Sequence, residues 1–133
     1  MIYLLDINAL LALVFVEHEF HVRVDDWIGK LLIDAESKLA TSAITELGFV
    51  RIASTVPAFG VTYSQARAGL TRLESDSKTR FVFLSDNLGV DRLPPWVKTG
   101  KQITDGHLVE LARTHGAKLA TCDKKIPGAL LIH

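Results

Sequence analysis

The sequence predicts an α/β fold with three layers, α/β/α, around a central parallel sheet of four to five short strands. Short, continuously apolar runs mark the strands, and they alternate with segments in which apolar residues recur at helical spacing. Strands that alternate with helices form parallel sheets covered on both faces. No repeat, linker or block of like charge divides the 133 residues, so we expect a single domain over 1–133.

The first predicted strand covers residues 2–5, which are continuously apolar and end abruptly at Asp6. Asn8 has the side chain of a helix N-cap, and the apolar residues behind it predict a first helix. A second helix is predicted over about residues 19–30. The helix residues expected to face the core here are Ala9, Leu10, Leu13, Val14, Val22 and Trp27.

A weak strand candidate at residues 38–41 precedes Ser42, which can cap a helix from residue 43 to about 54. Pro57 and Gly60 interrupt the chain after that helix. The apolar residues of this helix repeat at helical spacing, so we expect them to form its buried side. They are Ile44, Leu47 and Val50.

The next predicted elements are a helix over residues 64–74 and a strand over 81–84, followed by a loop over 85–103 that is rich in glycine and proline. Thr104 is expected to cap the last helix, and Gly116 suits the position just after its end. The apolar residues that repeat at helical spacing in these two helices are Ala66, Leu70, Leu73, Leu108, Leu111 and Ala112. His115 continues the repeat of the last helix and is expected on its surface or in its last turn.

Two further strands are predicted at residues 118–122, which end at Asp123, and at residues 129–132. Open parallel sheets bind ligands beyond the carboxyl ends of their strands. Asp6 and Asp123 both follow such ends, so we expect both carboxylates at one edge of the sheet.

Two more acids begin helices on apolar faces. Glu46 has Phe49 and Val50 at helical spacing, and Asp105 lies one turn before Leu108. Each acid taken alone could be a helix cap, a partner of the helix dipole or a turn residue.

The four acids are more informative as a set, because like charges gathered in one pocket raise each other's pKa unless a cation offsets them. Mg²⁺ or Mn²⁺ takes carboxylate oxygens together with water. Such an ion binds phosphate oxygens and lowers the pKa of bound water, so the chemistry predicted for the set is phosphodiester hydrolysis.

The overall composition excludes several classes of protein. Lys and Arg together equal Asp and Glu at 15 each, so a nucleic acid would have to be held by a local basic patch. One cysteine, Cys122, allows neither an internal disulfide nor a cysteine-rich zinc site. The apolar run over residues 9–16 is too short to span a bilayer and lacks a charged leader, so we expect a cytoplasmic protein without a membrane partner.

Three stretches of the chain, LLDINALLAL, ATSAITELGFVRI and ITDGHLVELARTHGAKLATCDKK, resemble the acidic blocks of the PIN-domain family. They are most similar to the VapC-type toxins of VapBC toxin–antitoxin pairs, and the resemblance covers nearly the whole chain. It implies a Mg²⁺- or Mn²⁺-dependent endoribonuclease that cuts cellular RNA. It also implies a homodimer that a cognate antitoxin holds inactive.

The resemblance assigns roles to particular residues. The catalytic acids would be Asp6, Glu46, Asp105 and Asp123, with Asn8 and Thr121 orienting them. The three aspartates would bind the metal, directly or through water, while Glu46 would hold a second metal position or the attacking water. His107 departs from the family pattern, in which an aromatic or small residue is common.

Basic residues flank the acids in the sequence, either as a solvated rim or as ligands for RNA phosphates. They are Arg51, Lys101, Lys124 and Lys125. Two alternative functions stay open at this point. The chain could be an RNA-processing nuclease without an antitoxin, or a catalytically silent module that only binds RNA or a partner.

Overall fold

A computed structural model describes all 133 residues of the chain. Its five strands are β1 (Ile2–Leu5), β2 (Lys38–Ser42), β3 (Val82–Leu84), β4 (Lys118–Thr121) and β5 (Leu130–Leu131). They form one parallel sheet in which the first strand is central, in the order β3-β2-β1-β4-β5. Leu4 of β1 pairs with Ala40 of β2, and Leu5 pairs with Ala120 of β4.

Five α-helices cover the two faces of this sheet. They are α1 (Ile7–Val14), α2 (His21–Leu31), α3 (Ala43–Thr55), α4 (Tyr63–Ser75) and α5 (Ile103–Thr114). Leu5 belongs to a core cluster built with α1, α2, α3 and α4, whereas Leu4 belongs to a second cluster built with α5. Successive strand residues point to opposite faces, so this division produces the predicted three layers. The predicted fold class is confirmed.

Two predicted helix caps are wrong. The N-cap of α1 is Asp6, whose side chain accepts a hydrogen bond from the backbone N–H of Ala9, while Asn8 lies inside the helix. Helix α5 follows directly from a short 3-10 helix at Gly100–Gln102 and begins at Ile103, one residue before the predicted cap. The capping side chain at this end belongs to Gln102, whose Oε1 atom accepts hydrogen bonds from the backbone N–H groups of Lys98 and Thr99 before the 3-10 helix that leads into α5.

Part of the predicted core of α2 and α3 is also wrong. Val22 is 68% exposed and Leu47 is 72% exposed, and Ile44 is also exposed. The buried face of α3 instead contains Thr45, Gly48, Phe49 and Ala53. The packing of α3 against α1 explains which face is buried, because a Cβ atom at Gly48 would lie 2.3 Å from the Cδ1 atom of Ile7. The glycine therefore lets α3 approach α1 closely and turns Leu47 outward.

Several strands are shorter than predicted, with β3 beginning at Val82 and β4 ending at Thr121. The other expected boundary signals hold, since Ser42 caps α3 and Gly116 has a positive φ of 66° just after α5. None of the helices combines the length and apolar character needed to cross a membrane.

Candidate active site

A cleft of about 480 Å³ opens at the carboxyl edge of the sheet and is lined by three aspartates. Asp6 directly follows β1, Asp123 lies two residues after β4, and Asp105 lies in the first turn of α5. The chain therefore brings together acids from three separate elements. The rest of the cleft is formed by Ile7, Asn8, Leu11, Ile52, Val56, Phe59, Thr104, Leu108 and Ile126.

Asp6 is the most firmly held of the three, with only 7% of its surface exposed. Its Oδ1 atom accepts a hydrogen bond of 2.7 Å from the backbone N–H of Ala9, and its Oδ2 atom accepts one of 2.5 Å from the Thr121 hydroxyl. The same hydroxyl oxygen accepts a hydrogen bond of 3.0 Å from the backbone N–H of Asp123. One threonine thus links the ends of β1 and β4 and fixes two of the aspartates relative to each other.

The charges in this cleft disfavour full ionisation. Burial raises the pKa of Asp6, the hydrogen bonds from Thr121 and Ala9 lower it in part, and the charges of Asp105 and Asp123 raise it further. Burial also raises the pKa of Asp105, and the charge of Asp123 adds to that increase. The aspartates are therefore close enough to repel one another, which identifies them as one electrostatic group.

The donor set of this cleft fits a hard divalent cation. It offers carboxylate oxygens, the ligands that Mg²⁺ and Mn²⁺ prefer, and a cation would offset both the burial and the like charges that raise the pKa of Asp6 and Asp105. No three His, Cys, Asp or Glu side chains form a ready-made metal cage. Water or substrate oxygens would therefore complete the coordination, as is usual for Mg²⁺.

Glu46 does not line the aspartate cleft. Its Oε2 atom accepts a hydrogen bond of 2.8 Å from the hydroxyl of Thr41, which also lies 3.1 Å from Oε2 of Glu74. Glu46 and Glu74 line a separate cleft of about 420 Å³ between α3 and α4. Burial, the hydrogen bond with Glu46 and the charge of Glu46 together raise the pKa of Glu74 to about 7.

The predicted supporting residue Asn8 is exposed and lines the aspartate cleft, where its Oδ1 atom lies 2.9 Å from Nε2 of His18. His21 bonds the backbone carbonyl of Ala12, so the two histidines of this region have separate partners. His107 pairs with Asp86 at 2.5 Å and thereby ties α5 to the loop after β3.

The predicted basic residues lie on different sides of the cleft. Lys124 and Lys125 are exposed beside Asp123, and the two lysines border a second depression on the far side of that residue. Lys101 is exposed in the 3-10 helix that leads into α5, and Arg51 is exposed on α3 next to the cleft residue Ile52.

Sequence reasoning missed two features near these acids. Glu74 lies four residues after the buried Leu70, so its helical spacing could have indicated an inward-facing acid. Arg23 lies 4.7 Å over the ring of Phe20, a pairing that their three-residue separation allows. Burial and the charge of Asp6 raise the pKa of the Cys122 thiol, and the charge of Arg23 lowers it in part.

Comparisons with known proteins identify the family of this chain. The PIN domain family model matches residues 3–129. Ribonuclease VapC38 of Mycobacterium tuberculosis is 37% identical over 90% of this chain and 84% of its own length. Ribonuclease VapC44 of the same species is 34% identical over 98% of this chain and 95% of its own.

A solved structure shares the fold. It is the crystal structure of VapBC2 from Rickettsia felis bound to a DNA fragment from their promoter, with a TM-score of 0.64 and 17% identity. The match covers 98% of this chain and 97% of that one. With the family model matching nearly the whole length and curated relatives above 30% identity, this chain belongs to the PIN-domain family and, within it, to the VapC group.

Proposed function

We propose that this protein is a metal-dependent endoribonuclease and the toxin of a type II toxin–antitoxin pair. The observation that carries the proposal is the convergence of Asp6, Asp105 and Asp123, from three elements, in one cleft where their charges repel. The relatives named as ribonucleases support the choice of RNA as substrate. RNA hydrolysis would take place in the cytoplasm.

The three aspartates would hold Mg²⁺ or Mn²⁺. Such an ion, when bound, polarises a phosphate oxygen and lowers the pKa of bound water. Thr121 fixes the Asp6 carboxylate and the Asp123 backbone relative to each other, so both aspartates stay at the cleft. Lys101 on one side and Lys124 and Lys125 on the other would hold RNA phosphates, and Arg51 would extend this basic rim along α3.

Glu46 stays a predicted catalytic residue, and its contacts in this structure favour a different task. It holds Thr41 and faces Glu74, in a cleft that the aspartates do not line. We therefore assign the metal to the aspartates alone and expect Glu46 to contribute less to cleavage than any of them.

The experiment that tests this function is cleavage of a total-RNA preparation by the purified protein with Mg²⁺, Mn²⁺ or EDTA. We expect cleavage with either ion, none with EDTA, and a loss of roughly 10²-fold or more for Asp105→Asn. Asp91→Asn is the matched control, since Asp91 is exposed in a short 3-10 helix outside the cleft. Full activity of Asp105→Asn would refute the assignment, and cleavage without any metal would refute the chemistry.

An antitoxin partner is supported by an apolar groove next to the acids. Ile52, Val56 and Phe59 form one wall of the aspartate cleft, and Phe59 also borders a neighbouring cavity of about 540 Å³. That cavity is lined further by the apolar residues Phe15, Val16 and Ala58 and by the polar residues Glu17, His18 and Glu19. A small reading frame next to this gene, whose product co-purifies with the protein and stops cleavage, would support the toxin. Its absence would favour an RNA-processing nuclease.

A homodimer is supported by apolar side chains on the outer face of α3 and the start of α4. Leu47 is 72% exposed, and Ile44 and Tyr63 are also exposed. Exposed apolar groups that cluster in this way are typical of protein interfaces. We expect light scattering to give a dimer for the wild type and a monomer for Leu47→Asp, with the matched change Val22→Asp on α2 leaving the dimer intact. A monomeric wild type would refute this part of the proposal.

A further inference from the structure

A patch of basic and aromatic side chains borders the aspartate cleft on the side of Asp123. The depression at its centre has a volume of about 380 Å³ and is lined by Phe20, Cys122, Asp123, Lys124 and Lys125, with Asn8 at its boundary with the main cleft. Asp123 and Asn8 line both depressions, so the patch is continuous with the proposed active site.

Arg23 is held at this patch by an aromatic ring. Its guanidinium carbon lies 4.7 Å from the centre of the Phe20 ring, within the range of a cation–π contact. Phe20 is itself half-buried and packs against the core, and its ring lies 5.8 Å from that of His18. A planar guanidinium fixed on a ring loses little conformational entropy when it binds an oxyanion.

The cations of this patch are free of ion pairs. The three salt bridges of the structure involve Arg92, Arg113 and His107, so Arg23, Lys124 and Lys125 have no acidic partner. The turn that carries the two lysines is held by a hydrogen bond of 2.8 Å from the Lys125 backbone N–H to Oδ1 of Asp123. This turn directs the two lysines outward directly after the acid.

We propose that Arg23, Lys124 and Lys125 form a binding subsite for an RNA phosphodiester next to the scissile one, with Phe20 as the residue that positions Arg23. This subsite rests on the proposed ribonuclease function. The net charge of the protein is zero, so RNA affinity must come from such a local group of cations. Arg23 suits the role because its fork binds phosphate oxygens in pairs.

The test measures binding of a fluorescein-labelled single-stranded RNA of mixed sequence by anisotropy, between 50 and 200 mM salt. The proteins carry Asp105→Asn so that the RNA stays intact. Adding Arg23→Gln should weaken binding about 10-fold and reduce the salt slope by roughly 0.7, the value for one lost phosphate contact on a single strand. Adding Arg23→Lys should restore the slope, because it keeps the charge.

Two further variants separate charge from fold. Arg72→Gln removes an exposed cation from α4, away from both depressions, and should leave affinity and slope unchanged. Phe20→Leu should weaken RNA binding while the salt slope stays near its original value, since the cation is still present but less well placed. Circular dichroism and melting curves check that each protein is folded.

The outcomes also separate the subsite from the ribonuclease function. If the wild type cleaves RNA with Mg²⁺ while Arg23→Gln leaves affinity and slope unchanged, the subsite is wrong and the function stands. The patch would then fit an acidic segment of a protein partner. A weaker affinity with an unchanged slope in Arg23→Gln would also overturn the subsite, because no phosphate contact was lost. If the wild type neither binds nor cleaves RNA, both proposals fail.

Discussion

Two groups of acidic side chains lie near the carboxyl edge of the same sheet, and they relieve their repulsion in different ways. The aspartate cleft combines Asp6 and Asp105 with Asp123, and burial together with the like charges raises the pKa of the first two. The pair formed by Glu46 and Glu74 lies against the Thr41 hydroxyl, and there the pKa of Glu74 reaches about 7. A proton can therefore relieve the pair near neutral pH, whereas the aspartate cleft is open to a cation.

The hydrogen bonds explain this difference. In the aspartate cleft a backbone N–H and a threonine hydroxyl both donate to Asp6, which favours its charged form. In the glutamate pair a single hydroxyl proton faces two carboxylates, so one of them gains by staying protonated. The hydrogen bonds to Asp6 offset only part of the rise that burial and the neighbouring charges cause in its pKa. Acid residues alone do not specify the site.

The largest difference in RNA cleavage between the two groups should appear when one acid is removed from each. Asp6→Asn should reduce metal-dependent RNA cleavage by roughly 10²-fold or more, because it removes a charge from the proposed metal site. Asparagine still caps a helix, so α1 should stay folded. Glu46→Gln should cost less than 10-fold in the same assay. Equal losses of cleavage for the two variants would place Glu46 in the same functional group as the aspartates. They would contradict the separation of the aspartate cleft from the glutamate pair.

The next largest effect should come from removing the hydroxyl group of Thr121, with Thr41 of the glutamate pair as the comparison. Thr121→Val removes the hydroxyl that donates to Asp6 and accepts from the Asp123 backbone, and it leaves the buried Oδ2 atom of Asp6 and the backbone N–H of Asp123 without this partner. We expect a loss of about 1–3 kcal/mol in the free energy of unfolding and of roughly 10- to 100-fold in cleavage.

Thr41→Val is the matched control, since it removes a buried hydroxyl from the glutamate pair. Urea unfolding should show a loss for this variant as well, but cleavage should change less than threefold. A Thr121→Val enzyme with wild-type cleavage would show that the hydroxyl does not position the aspartates.

The smallest effect should be a pH-dependent change in stability at Glu74. Its pKa is about 7 in the folded protein against an ordinary 4.5, so the folded state retains a proton that the unfolded chain has lost. The free energy of unfolding should therefore fall as pH rises from about 4.5 through 7. Glu74→Gln cannot ionise and should be more stable than the wild type at pH 8, by about 1 kcal/mol because water screens this partly exposed group.

Urea unfolding at pH 4 and pH 8 checks this prediction. At pH 4 both versions of residue 74 are neutral, so the stabilities should converge. A stabilisation by Glu74→Gln that is the same at both values of pH would mean that packing, and not the charge of Glu74, causes it.

Much of this fold could be predicted because its signals are local. The apolar run at residues 2–5 and the capping residue Ser42 mark β1 and α3 without knowledge of distant contacts. The predicted position of Asp6 and Asp123 at one edge of the sheet followed from the parallel order of strands. The structure places Asp105 in the same cleft.

The misplaced residues depend on contacts that are distant in sequence. Helix α3 is apolar on more than one side, so its pattern did not show that Gly48 would pack on Ile7 and leave Leu47 exposed. The partner of Glu46 was hidden for the same reason, because Glu74 reaches Thr41 across 33 residues. Packing between helices decides which acids meet, and one sequence alone does not contain that geometry.

The most direct test of the separation between the two acid groups is a Mn²⁺ titration of thermal stability at pH 7.5. We expect the wild type to gain about 2.7 kcal/mol when free Mn²⁺ reaches 100 times its dissociation constant, which is roughly 10 °C for a chain of this size. Asp105→Asn should lose most of this gain, and Glu46→Gln should keep it. No shift of the wild type up to millimolar Mn²⁺ would contradict a metal site at the aspartates, and an equal loss of the shift in Glu46→Gln and Asp105→Asn would contradict the separation of the two acid groups.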